Sequence, residues 1–163
     1  MGYLYMAVPK TSHALTEVAT SAALKTVLQI ATPSTTDIRV HGWGISFDGI
    51  DPVAAPGQVT LIDTDVAATT GTSLTPELWE SGFGQASLCI GGTALTAYNL
   101  TVEGTITASR ILDVQNMHPQ TGYGVWFPEG RRPAVRASRF LRIRTLFAVT
   151  INCVPWCVFE EPA

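Results

Sequence analysis

Apolar and polar residues alternate with a period of two along most of this chain, and almost nowhere with the period of a helix. The one helical candidate is the Ala-rich stretch from His13 to Leu24, and its Thr, Ser and Val residues weaken it. Short runs rich in Thr, Val and Ile, punctuated by Gly, Pro, Asn and Asp, predict strands over Leu24 to Thr32, Asp37 to Phe47, Gln58 to Asp65, Gln85 to Ile90 and Asn99 to Ser109. Further strands are expected over Ile111 to Gln115, Tyr123 to Phe127, Ala134 to Thr145 and Phe147 to Phe159.

Two of these runs say more than that they are strands. Ile38 and Val40 share one parity while Trp43, Ile45 and Phe47 share the other, so the inward phase slips between Val40 and Trp43, and Gly42 is the natural place for a bulge. Leu141, Ile143 and Thr145 alternate with Arg142 and Arg144, which reads as a half-buried antiparallel strand with one apolar and one cationic face. From Phe147 onward both parities carry apolar residues, the mark of a strand buried on both faces.

The connections DGIDPVAAPG, ATTGTSLTPELWESGFG and MHPQTGYG are surface-loop material, and none reads as an interdomain linker. The expected architecture is an all-β chain, one antiparallel β-sandwich over residues 23–163 with about eight strands and jelly-roll connections. Residues 1–22 are expected to form an N-terminal arm. Tyr3, Leu4 and Tyr5 precede Pro9 without strand alternation or a helix cap, so they are candidate anchors onto a neighbouring subunit or lattice, the alternative being an edge strand folded back onto the sandwich.

Composition sharpens this picture. A chain of 163 residues buries roughly 70% of its extended surface on folding, enough for a core without staples. With 46% hydrophobic and only 14% charged residues, apolar surface is left over, and oligomerisation is the simplest use for it. The net charge of −3 excludes a generic nucleic-acid binder. The start of the chain makes a poor signal peptide, and no run is long and apolar enough to span a bilayer. Cys89, Cys153 and Cys157 are an odd set. Cys153 and Cys157 would stand about 13 Å apart on a straight strand, so buried free thiols are expected, not a bridge.

Candidate chemistry is thin. The G-x-G fragments at Gly42 and Gly44, Gly82 and Gly84, and Gly122 and Gly124 lack the helix and third glycine of a phosphate loop and read as bulges or turns. Ser46 lies in a near-match to a nucleophile elbow but in strand context. His13, His41 and His118 are too scattered for a metal motif. Asp63 and Asp65 read as solvated strand charges, and Asn99 heads a glycosylation sequon that matters only in a secretory pathway. No catalytic group, cofactor or metal is expected. One charge feature stands out: six of the ten basic residues are Arg131, Arg132, Arg136, Arg139, Arg142 and Arg144, either a docking face for an acidic partner or a solvated outer face.

At KTVLQIATPSTTDIRVHGWGISFDG, HPQTGYGVWFPEGRRP and RFLRIR, the chain resembles the small capsid decoration (head stabilisation) proteins of actinobacterial tailed bacteriophages, over about Leu24 to Glu160. The resemblance implies a β-sandwich similar to the tumour-necrosis-factor-like jelly roll. It further implies a homotrimer on the outer surface of an icosahedral head, bound to the major capsid protein, with no role for nucleic acid or membrane. The competing reading is a receptor- or carbohydrate-binding module of a tail fibre. That reading needs solvent-facing aromatics, for which Trp79 or Tyr123 could serve, whereas Trp43 and Trp156 read as strand residues.

Overall fold

A computed structural model describes residues 2–49, 55–80 and 84–162; Gly82 and most of the loop before Gly57 lie outside the described residues. In chain order its first strands are β1 (Tyr3–Ala7), β2 (Lys10–Thr11), β3 (Ala14–Leu15), β4 (Val18–Ala19), β5 (Lys25–Ala31), β6 (Ile38–Phe47) and β7 (Gly57–Thr64). They are followed by β8 (Thr72–Ser73), β9 (Glu77–Leu78), β10 (Ala97–Tyr98), β11 (Ser109–Met117), β12 (Gly122–Trp126), β13 (Ala134–Val135), β14 (Phe140–Leu146) and β15 (Asn152–Glu161). Sheet one runs β12-β6-β15-β1-β9 and sheet two runs β11-β7-β14-β5-β10-β8. Strand pairing within both sheets is antiparallel, and the two pack face to face as a β-sandwich. No helix forms among the described residues; the Ala-rich stretch becomes a two-residue hairpin and β4.

The core lies between the sheets. Leu141 and Ile143 of β14 share a face with Leu61 of β7 and with Leu28 and Ile30 of β5, and they meet Val40, Trp43, Ile45, Tyr5 and Phe159 from sheet one. The phase slip in β6 is a bulge: Val158 opposes Gly42 and Phe159 opposes Val40, so His41 is the extra residue, one place before Gly42.

Residues 1–22 are not a free arm. Tyr3 to Ala7 pair in full with Glu161 to Cys157 on one side, while Tyr5 and Met6 pair with β9 on the other. Tyr5 is buried, stacks on Phe159 at 5.9 Å and donates its hydroxyl to the Gln85 carbonyl at 3.0 Å. Tyr3 packs against the core as well, and Leu4 is half-buried on the opposite parity. The strand was hidden in the sequence because both its faces are apolar, which erases the alternation. Pro9 falls two residues beyond the strand and breaks no pairing.

Other expectations also need correction. Gln85 to Ile90 is not a strand; it is a loop held by the buried Glu161 carboxylate, which accepts from Ser87 Oγ at 2.5 Å and from the Leu88 N–H at 2.8 Å. Between Asn99 and Ser109 the chain is irregular apart from one bridge residue. Phe147 is buried, but Ala148 to Thr150 form an exposed turn, and the strand that begins at Asn152 is buried on its inner face and mostly half-buried on its outer one.

We predict that deleting Met1 to Ala7 abolishes cooperative unfolding. Tyr5→Ala should cost about 3 kcal/mol or more, as for other buried aromatics, measured by urea denaturation. Wild-type stability in the truncated protein would mean that sheet one closes without β1.

Candidate functional site

Sheet two is covered on part of its outer face too. Around Gln29 and Arg142 it is overlaid by residues at Val66 and Ala68 and at Leu95 and Glu103, with Ala68, Ala97 and Leu100 forming a small second apolar cluster. This cover explains why β5 reads as a nearly continuous apolar run, and it uses part of the apolar excess that the composition suggested would go to oligomerisation. Gln29 faces the cover and is fully satisfied: its amide donates to the carbonyls of Leu95 at 2.7 Å and Ala68 at 3.2 Å, and its oxygen accepts from the Ala68 N–H at 2.8 Å.

The arginine cluster divides along the same line. Arg142 is fully buried beneath the cover. Its guanidinium donates to Thr26 Oγ1 at 2.7 and 3.0 Å, to the Val66 carbonyl at 3.1 Å and to the Glu103 carbonyl at 3.2 Å, and it forms an ion pair with the Glu103 carboxylate. Burial pulls its pKa below the ordinary arginine value, and Glu103 pulls it back up. Arg144, half-buried on the same face, is lowered by burial in the same way, and its Nε lacks a partner among the described residues. Arg139 donates to Asp63 at 2.5 Å, and Arg110 reaches the other oxygen of that carboxylate at 2.8 Å. Asp63 is therefore a buried clamp between two arginines, not a solvated strand charge. Only Arg131 and Arg136 are exposed, with Arg132 half-buried. The expected cationic face of the RFLRIR strand does not meet solvent, because a segment remote in sequence brings the carboxylate and carbonyls that take it in.

The exposed chemistry lies on sheet one. Its outer face carries a row of three indoles, Trp79–Trp126 at 6.2 Å and Trp126–Trp156 at 5.7 Å between ring centroids. Glycines make room for them. A Cβ on Gly42 would stand 2.9 Å from the Trp126 ring, one on Gly44 2.5 Å from Trp156, and one on Gly124 3.2 Å from Trp156. These glycines are neither turns nor phosphate-loop fragments; they are strand positions where a side chain would displace an indole, the close-approach signature of glycine in a strand. Trp79 is 50% exposed and Trp126 56%. Both stand out against the rest of the surface, since large aromatics are among the side chains most enriched in interfaces.

Next to this row is a cleft of about 500 Å³ lined by His41, Glu80, Glu129, Arg132, Glu160 and Leu4. The bulged His41 hydrogen-bonds Glu160 at 2.9 Å and, with the Gly2 N–H at 3.1 Å, holds the Glu160 carboxyl below its usual range. Three carboxylates against one guanidinium make the cleft acidic. Tyr123 is not available as an aromatic platform. It packs on Trp43 at 5.4 Å and donates to Asp113 at 2.8 Å, and burial followed by that carboxylate raises its pKa to about 12. Asp113 also accepts from the Trp43 indole at 3.2 Å and from Gln115 at 3.0 Å, a satisfied polar seam between β11 and β12.

The remaining candidates are structural. Cys89, Cys153 and Cys157 are free and buried, and burial raises each thiol, Cys153 to about 12. Ser46 is an exposed strand residue. Among the described residues, no three His, Cys, Asp or Glu side chains converge as metal ligands. Asp65 ties down the loop before β11, accepting from the Thr107 hydroxyl and from the Ala108 N–H at 3.0 Å. No protein-family model, curated protein or solved structure matches this chain.

Two outcomes follow. Arg142→Met should destabilise the fold by about 3 kcal/mol, because it strands the Glu103 carboxylate under the cover, whereas Arg131→Ser and Arg136→Ser should each stay within about 0.5 kcal/mol. Equal costs in urea unfolding would refute the division between buried and free arginines. The second outcome concerns acid. The Thr107 hydroxyl, then the Ala108 N–H, lower the Asp65 pKa from 3.8 to about 2. A depressed carboxylate supports the fold above its unfolded pKa and loses that support as pH falls through the folded one, so the loop contact should persist at pH 4 and release toward pH 2. The amide shift of Ala108 should titrate with a midpoint near the lower value.

Proposed function

We propose that this protein is a non-enzymatic virion component: a capsid decoration protein that binds the major capsid protein on the outer surface of an icosahedral head as a homotrimer and stabilises the shell. The observation that carries the reading is the indole row on sheet one, a concentrated aromatic surface left exposed, whereas the centre of the other sheet is covered on both faces. The strand order supports it. The eight longest strands alternate so that sheet one holds the first, eighth, third and sixth and sheet two the second, seventh, fourth and fifth, the arrangement of a jelly roll similar to the tumour-necrosis-factor-like form. Arg131 and Arg136, free of internal carboxylates, are the cations that remain to meet an acidic lattice surface. A trimer that binds only the assembled lattice stabilises it by mass action and performs no chemistry.

A second reading has its own support. The exposed Trp79 and Trp126 beside a cleft with carboxylates also fit a receptor- or carbohydrate-binding module of a tail fibre.

Particle stoichiometry separates the two. Copurification with heads at hundreds of copies is expected for decoration, while a handful per particle would assign the protein to a fibre. The purified chain should have three times its monomer mass in dilute solution. Replacing Arg131 and Arg136 by Ser should weaken head binding and make what remains less sensitive to salt. Unchanged salt dependence would leave these arginines without a docking role.

A further inference from the structure

We infer that copies of this chain join by a head-to-tail contact, in which the indole face of one copy receives the β11 edge of the next. This rests on the homotrimer reading and says which surfaces build it.

Strand β11 is the outer strand of sheet two, paired only with β7, so its other edge carries unpaired backbone groups. It exposes two large aliphatic side chains, Ile111 at 64% and Val114 at 55%. An open strand edge with apolar side chains is a surface that folded proteins cover or blunt, and among the described residues no strand pairs with it. Arg110, half-exposed and ion-paired with Asp63, lies on the same strand, in a hollow where Arg110, Arg136 and Arg139 outnumber Asp37 and Asp63.

The indole face has the opposite charge. Its cleft sets Glu80, Glu129 and Glu160 against Arg132 and His41, and Trp79 and Trp126 supply the apolar part. If this face met its own copy across a two-fold axis, the exposed Glu80 and Glu129 of both copies would be brought together and the β11 edge would stay open. A head-to-tail contact places aliphatic side chains on indoles and the half-exposed Arg110 beside carboxylates, and it covers the strand edge as well. A contact between two different patches closes into a ring of three or more, not a symmetric pair, which is what three-fold placement requires.

The test uses introduced thiols, which react selectively because the three native cysteines are buried. Copies carrying only Glu80→Cys are mixed with copies carrying only Ser109→Cys, or only Asn116→Cys, all at exposed positions that leave the apolar residues intact, and are treated with a short bis-maleimide. The expected result is cross-linking in the mixture and none in either population alone. Cross-linking of Glu80→Cys copies with each other would overturn the inference in favour of a two-fold contact. A trimer by mass that gives no cross-link in any mixture would also overturn it while leaving the trimer standing, whereas a monomer by mass would defeat the homotrimer reading itself. As an independent check, Ile111→Ser with Val114→Ser should raise the trimer dissociation constant roughly tenfold or more while leaving the thermal unfolding of the domain nearly unchanged.

Discussion

A guanidinium with no access to water must find its partners inside the protein, and Arg142 finds them in Thr26 of the neighbouring strand and in Val66 and Glu103 at the two ends of the crossing segment. That requirement fixes where the segment lies. Once it is pinned at both ends, Gln29 can be satisfied by Ala68 and Leu95, the small cluster of Ala68, Ala97 and Leu100 closes, and sheet two becomes a layer between two covers. Among the described residues sheet one has no such cover, so one buried charge separates the two outer faces.

The strands with a single apolar face, or with apolar runs bounded by turn residues, were legible in the sequence. Residues Lys25–Ala31, Ile38–Phe47, Gly57–Thr64 and Gly122–Trp126 fall within a residue or two of expectation, and the phase slip near Gly42 is a real bulge. What could not be read was set by contacts between residues far apart in the chain. Arg142 looks like a solvent-facing arginine until Glu103 is laid over it, and Asp63 looks like a surface charge until Arg110 and Arg139 converge on it. Strand β1 gave way to the arm reading because its outer face, Leu4 and Met6, is as apolar as its inner one.

The candidate surface was half visible. Trp79 was singled out as a solvent-facing aromatic, and it is one. Its neighbours Trp126 and Trp156 are strand residues whose rings meet only because Gly42, Gly44 and Gly124 leave space above the sheet. Glycines at alternate positions of a strand beside tryptophans are the signal that could have located the row. The arginine cluster, the most conspicuous charge feature of the sequence, proved to be mostly internal wiring, which leaves the indoles as the more prominent exposed feature.

The pairing of β1 with β15 also sets an order of events for the newly made chain. Sheet two is complete once Leu146 has been synthesised, but sheet one has β15 at its centre, between β6 and β1, so it stays open until residues 152–161 have emerged. Tyr3 to Ala7, apolar on both faces, can meet only the two residues of β9 before then, and its full pairing waits for residues 157–161. Such long-range closure is slow, and an apolar strand kept waiting for it is the segment most exposed to wrong partners.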